Sequence, residues 1–228
     1  FVGEKKGKIF KSAPEFTNNK FFDECKINYA ENCLTRDDDD DAIIFHSEKK
    51  IKRNYSWREL KSAVLKFANY LKNNNIEKND RIAAILPNIP ETVISFLSTA
   101  QLGAIWSSCS SDFGKKAIID RFKQIEPKVL LFSDYYFYNN KKVDTTKIIK
   151  DVIYNIPSIE KIILIPYEFN ETDYQLDFEY DNLYNILQQE IEYSKFEKFN
   201  FNHPLYILYS SGTTGVPKCI VHSSGGAL

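Results

Sequence analysis

Residues 205–226 read LYILYSSGTTGVPKCIVHSSGG, and between the two short apolar runs stand four hydroxyl side chains, two glycines, a proline and a lysine. Each of these types has a use beside an anion. Gly212 and Gly215 let the backbone come close to a ligand and expose N–H groups to it. Ser210, Ser211, Thr213 and Thr214 can donate to phosphate oxygens, and Lys218 supplies a compact positive charge. These are the parts of a polyphosphate cradle. They do not form the loop G-x-x-x-x-G-K-[ST], because the glycines are only three apart, Pro217 stands before the lysine, and Cys219 replaces the magnesium-binding hydroxyl. A plain glycine-rich hairpin accounts for Gly-Thr-Thr-Gly alone. The full run Ser-Ser-Gly-Thr-Thr-Gly-Val-Pro-Lys is far more restrictive.

The loop needs elements to hold it. LYILY and KCIVH are strand-like, so the loop is expected to join two strands. Upstream, Ser56 and Glu59 have the spacing of a capping box, which predicts a helix start. Leu60, Ala63, Val64, Phe67 and Leu71 then recur as one stripe, and the asparagines at 73–75 end it. RIAAILP reads as a buried strand stopped by Pro87. Pro90 fits the first turn of a second helix, with Val93, Phe96, Leu97 and Ala100 expected on its buried face and Gly103 at its exit. AIW, KVLLFS and KIILIP follow as strands, separated by the helical patterns KKAIIDRFKQI and TTKIIKDVIYNI. That alternation predicts an α/β fold, a parallel sheet flanked by helices on both faces with right-handed crossovers. Ligands in such folds bind beyond the carboxyl ends of the strands, so SSCSSDFG at 107–114 is a candidate wall of the site. Residues 167–204 read as a surface excursion with one short helix near 181–191 and no chemistry.

Composition narrows the function classes. The chain has 228 residues, 43% of them hydrophobic, with 30 basic and 31 acidic side chains. That size supports a buried core, and the near-neutral charge provides no field for nucleic acid or an anionic membrane. No apolar run approaches the ~18 residues of a membrane helix, and FVGEKKGKIF lacks the apolar centre of a secretory signal. The expectation is a cytoplasmic protein whose partners are small molecules, with no nucleic acid and no membrane among them. Its oligomeric state is not legible. Cys25, Cys33, Cys109 and Cys219 have no metal or disulfide spacing and read as free thiols. None of His46, His203 and His222 stands out as a catalytic base. The aspartate run 37–41 reads as a solvated turn, and KNNN and YNNKK as surface loops. The chain begins at Phe1 and has no methionine, so it is expected to be a piece of a longer protein.

YSSGTTGVPK resembles the phosphate-binding signature of the adenylate-forming enzymes, the superfamily that includes the acyl-CoA synthetases. INYAEN at 27–32, YSWRELK at 55–61, NDRIAAILPNIPETVISFLSTAQLGAIWSSCSSDFG at 79–114 and DRFKQIEPKVLLFS at 120–133 are similar to its acetoacetyl branch. The similarity thins between about 134 and 200. Glycine is usual in the superfamily where Cys219 stands, while PKCIVHS is the form of the acetoacetyl branch. The resemblance implies ATP-dependent ligation of acetoacetate to coenzyme A through an acyl-adenylate, with release of AMP and pyrophosphate. Ser210, Ser211, Gly212, Thr213, Thr214, Gly215 and Lys218 would bind the nucleotide phosphates, with Lys218 also catalytic. ATP, Mg²⁺ and coenzyme A are the implied cofactors, with no residue named as a metal ligand. For coenzyme A, acetyl relatives use glycines after the AIW strand and arginines beyond; the basic candidates here are Lys141 and Lys142. Residues 1–228 would be the N-terminal portion of the adenylating domain, inactive alone. The remaining alternatives are another short-chain acyl-CoA synthetase and a non-catalytic nucleotide-binding α/β module.

Overall fold

The capping box forms. In the structure, a computed structural model describing residues 1–171, 173–190, 195–210 and 215–228, the Glu59 N–H donates to Ser56 Oγ at 3.2 Å and the Ser56 N–H donates to the Glu59 carboxylate at 2.8 Å. An antiparallel hairpin, β1 (Asp41–His46) and β2 (Lys52–Ser56), leads directly into helix α1 (Trp57–Asn73). The whole stripe from Leu60 to Leu71 is buried. There follow β3 (Arg81–Ile85), α2 (Pro90–Gln101), β4 (Ile105–Cys109), α3 (Lys115–Phe122) and β5 (Val129–Ser133). A second hairpin, β6 (Tyr135–Tyr138) and β7 (Lys141–Asp144), precedes α4 (Thr146–Asn155), β8 (Lys161–Ile165), β9 (Asp181–Asn182) and α5 (Leu183–Gln188). The last two strands are β10 (Pro204–Ser210) and β11 (Lys218–Ser223).

The central sheet has seven strands in the order β9-β8-β5-β3-β4-β10-β11. Every pair is parallel except β10 with β11. Because side chains alternate along a strand, β3 feeds two cores. Ile82 and Ala84 pack with Phe67, Ile94, Leu97 and Ile186 beneath α1, α2 and α5. Ala83 and Ile85 pack on the other face with Ile118, Phe122, Ile149 and Val152 of α3 and α4. The helices after β3 and β4 thus leave toward opposite faces, the arrangement that in open α/β sheets places a crevice at the carboxyl ends of the two strands.

Several expectations are corrected. Val93 is exposed, because α2 turns Ile94, Leu97 and Ser98 toward the core and leaves position 93 on the outer side. Residues 107–109 belong to β4, which shortens the loop to 110–114. The turn Asn139–Asn140 joins two strands, with φ of 48° and 62° at the two asparagines, the left-handed pair that a tight hairpin demands. The excursion after 167 contributes an edge strand and buries Leu183, Ile186 and Leu187. The acidic run, in contrast, is the solvated turn expected of it, with surface ion pairs of Asp37 with Lys61, Asp38 with Arg36 and Asp39 with Arg58.

Two buried polar contacts tie the periphery to the sheet. Glu91, fully buried in the first turn of α2, takes two hydrogen bonds from Arg53 at 2.6 and 3.0 Å and one from the Tyr55 hydroxyl at 2.8 Å. The β1–β2 hairpin is thereby fixed beside the crevice. His203 is buried too, and its Nε2–H donates to the Gly103 carbonyl at 2.7 Å. Burial pushes the His203 imidazole below its ordinary 6.5, against the pull of that carbonyl. A depressed folded-state value means that the unfolded chain binds the proton first, so stability is whole above about 6.5 and falls as pH drops toward the folded-state value. Denaturant titrations of the wild type between pH 7 and 5 are expected to show this decline. His203→Gln keeps a donor but cannot titrate, and its decline should be shallower; equal slopes would remove His203 as the cause.

Candidate functional site

The strand register decides what the two ends of the glycine-rich loop present. Ser210 ends β10, Lys218 begins β11, and the two face each other across the hairpin, one step beyond the pair Tyr209–Cys219. Tyr209 packs among the side chains of the α3 and α4 face. By alternation, Ser210 and Lys218 project together from the other face. The sequence-predicted pair is therefore brought side by side. Gly215 has φ of +108°, a conformation open to glycine and strained for other residues. Ser211, Gly212, Thr213 and Thr214 lie outside the described residues.

This hairpin stands next to the crevice. β10 is parallel to β4 through Tyr206–Trp106 and Ile207–Ser107, so the loop after β10 and the loop 110–114 after β4 leave the same edge of the sheet. Ser107, entertained in the sequence as a site hydroxyl, is instead fully buried. Its Oγ donates to the Ile207 carbonyl at 2.9 Å and lies 3.0 Å from the Tyr209 hydroxyl. Burial raises the Tyr209 phenol well above its ordinary value and the Cys109 thiol to about 12, the nearby Arg121 drawing the thiol back only in part. Both stay protonated at neutral pH. No thiolate nucleophile sits here.

A cleft of about 650 Å³ lies between the start of α3 and the loop, lined by Gly114, Lys115, Lys116, Arg121, Gly215 and Pro217 among others. Its cations are not equivalent. Lys115 is paired with Asp151 at 2.7 Å and Lys116 with Asp120 at 2.6 Å, while Arg121 lies over the Phe113 ring, 4.8 Å from its centroid. Lys218 is not in this lining; it leaves from the other face of the hairpin, is exposed and makes no ion pair with a described residue. Unlike Lys115 and Lys116, it is committed to no carboxylate of the described residues. A larger cleft of about 730 Å³ opens at the far edge of the sheet, beside β9, and carries Glu160, Glu171, Asp173, Glu179 and Asp181 on its walls. That lining repels polyphosphate.

Two contacts at this site escaped the sequence. Gln124, two residues past α3, donates from Nε2 to the Pro217 carbonyl at 3.0 Å, and its Oε1 accepts from Cys219 Sγ at 3.7 Å. No local pattern announces a contact across 93 residues. Lys142, a coenzyme A candidate, has its ammonium 3.5 Å from the centroid of the Tyr135 ring, and Lys141 opposes Tyr138 in the β6–β7 hairpin. Among the described residues, no three His, Cys, Asp or Glu side chains converge on a common metal position, and no helix is long and apolar enough to cross a membrane.

The signature of the AMP-binding enzymes matches residues 30–228. Acetoacetyl-coenzyme A synthetase of Rhizobium meliloti (strain 1021) is 38% identical over all of this chain and 35% of its own length. Acetoacetyl-CoA synthetase of Xenopus tropicalis is 36% identical over 92% of this chain and 32% of its own. Among solved structures, acetoacetyl-CoA synthetase from Streptomyces lividans superposes with a TM-score of 0.88 at 33% identity, covering 99% of this chain and 34% of that one. The chain spans about a third of the length of the curated relatives it matches.

The seam beneath the loop is testable by itself. Ser107→Ala removes the donor to Ile207 from a dry site, where a lost hydrogen bond costs about 1–3 kcal/mol. Chemical denaturation is expected to show a loss in that range; a change below about 0.3 kcal/mol would mean that the hydroxyl contributes nothing there.

Proposed function

This chain belongs to the AMP-binding enzyme family, and from that premise we propose that it forms the phosphate-binding part of an enzyme that ligates acetoacetate to coenzyme A with ATP. The observation that carries the reading is the opposition of Ser210 and Lys218 at the carboxyl edge of the sheet, beside the crevice. Residues 1–228 are, on this reading, the N-terminal portion of the adenylating domain. The protein works in the cytoplasm on small molecules.

A carboxylate is a poor acyl donor, because its charge repels nucleophiles and oxide is a poor leaving group. Adenylation removes both obstacles. A carboxylate oxygen of acetoacetate attacks the α-phosphorus of ATP, the bond from that phosphorus to the bridging oxygen breaks, and pyrophosphate leaves with the electron pair. The coenzyme A thiol then gives up its proton, attacks the acyl carbon and displaces AMP. Phosphoryl chemistry of this kind depends on positioning and charge neutralisation. Ser210, Ser211, Thr213 and Thr214 are assigned hydrogen bonds to the β- and γ-phosphates, as are the amides of Gly212 and Gly215. Lys218 is assigned the charge that accumulates on the departing pyrophosphate. Mg²⁺ enters as the counter-ion of ATP. With no convergent ligand set among the described residues, no step is assigned to it. Lys141 and Lys142 stand at the same edge as candidates for the coenzyme A phosphates, although the seat of Lys142 on Tyr135 leaves Lys141 the freer of the two.

Lys218→Ala in the full-length enzyme is expected to raise the adenylation barrier by about 2–4 kcal/mol with the fold intact, since Lys218 is exposed. ATP–pyrophosphate exchange measures it; exchange at the wild-type rate would remove Lys218 from the mechanism. Substrate preference is checked by the same assay with acetoacetate, acetate, propionate and butyrate. A site that hydrogen-bonds the 3-keto oxygen penalises acids that leave its donor unpaired. Acetoacetate should have the highest kcat/KM. If acetate or propionate leads, the reading moves to a general short-chain acyl-CoA synthetase.

A further inference from the structure

We infer that Gln124 is a positioning residue for Lys218, acting from the end of α3 on the two residues that bracket the lysine. Its amide N–H reaches the carbonyl of Pro217, the residue before Lys218, at 3.0 Å, and its carbonyl oxygen receives the thiol of Cys219, the residue after, at 3.7 Å. A second amide hydrogen bond, to the Asp120 carbonyl at 2.7 Å, fixes the side chain to its own helix. Both ends of the amide are thus in use, and the helix is tied to the root of the loop at two points.

The consequence follows from strand geometry. Cys219 and its partner Tyr209 point toward α3, so holding Cys219 there obliges Lys218 to leave from the opposite face, beside Ser210. Among the described residues, β11 pairs with β10 alone. Gln124 adds to that pairing a second hold, from α3, on the arm that carries Lys218. A charge placed about 1 Å wrong loses much of its worth to a transition state. The thiol at 219 also has a task here, as the half of the tie that a glycine cannot supply.

The inference rests on the assignment of Lys218 to pyrophosphate departure, and a double-mutant cycle in the full-length enzyme separates the two. Gln124→Met keeps the length and removes both polar ends; Gln124→Ala serves as a second variant, and the exposed position spares the fold. Either change is expected to lower kcat/KM for ATP in pyrophosphate exchange about fivefold, the worth of roughly one hydrogen bond, while KM for acetoacetate stays within about twofold. In the Lys218→Ala background the same change should have no further effect. Gln124→Met at the wild-type rate, or a full fivefold loss that persists without Lys218, overturns the inference and leaves the assignment of Lys218 standing. Lys218→Ala at the wild-type rate overturns both.

Discussion

The arrangement of the site depends on one seam, where residues 103–109 lie along residues 203–209. Almost 100 residues of chain separate the two segments, so closing them together costs loop entropy that local contacts must offset. The ladder itself is short, two residues on each strand. Buried polar contacts complete it at both ends. His203 reaches the Gly103 carbonyl below the ladder, and Ser107 reaches the Ile207 carbonyl and the Tyr209 hydroxyl above it. His203, Gly103, Ser107 and Ile207 are all buried, so a mismatch among them leaves a donor or acceptor without water. A slip of one residue would also turn every side chain of β10 to the wrong face. The seam therefore fixes the register of β10 as well as its place. Gly103 sits at its foot with φ of +68° and the Phe199 ring where a Cβ would go, 2.6 Å away. That position admits little besides glycine.

From that register the electrostatics follow. The chain is nearly neutral, so attraction for a polyanion cannot come from a global field and must be local. Around the carboxyl edge, cations are plentiful, yet most are already committed to carboxylates or rings. An ion pair screens the charge that an incoming phosphate would feel, and breaking it costs the pair. The hairpin escapes this because the described partners of β11 are strand backbone, the Gln124 amide, the Tyr206 ring and the Gly226 N–H, not acids. Charge at the site is set by which cations remain unpaired rather than by how many are present.

What the sequence made legible is local or periodic. The capping box, the stripe from Leu60 to Leu71, Pro90 in the first turn of α2 and the alternation of strands with helices all follow from spacings of a few residues. The hairpins at 41–56 and 135–144 were not read, because KRNYS and YYFYNNKKVD mix polar and aromatic residues, and their pairing is decided by what lies beside them. Val93 was misplaced for a related reason. A helix wedged between another helix and a sheet buries most of its circumference, so even polar Ser95 and Thr99 are covered and apolar spacing stops marking the inner face. The hydroxyls, glycines and lysine of 210–218 suggest an anion cradle by type alone, and of these the strand register shows Ser210 beside Lys218. Ser107, part of a candidate site wall by sequence, is needed by the fold between strands, and Gln124 is invisible in the sequence, since its contacts exist only once α3 lies against the hairpin.

Cys219 bears on how much such a loop can vary. A glycine there would be required if the backbone adopted a left-handed conformation or if a side chain struck a neighbour. Neither condition holds in β11, where Cys219 pairs in regular register with Tyr209 and its side chain is accommodated toward α3. The position lies one residue beyond Lys218 and on the other face of the sheet, so its side chain cannot intrude on whatever Lys218 and Ser210 contact. Departure from glycine therefore leaves the face that carries Ser210 and Lys218 as it was. Its effect falls on the rear of the hairpin, where the exposed thiol reaches Gln124 and where the backbone freedom of glycine is lost. The loop can thus keep its chemistry on one face while its stiffness is tuned from the other.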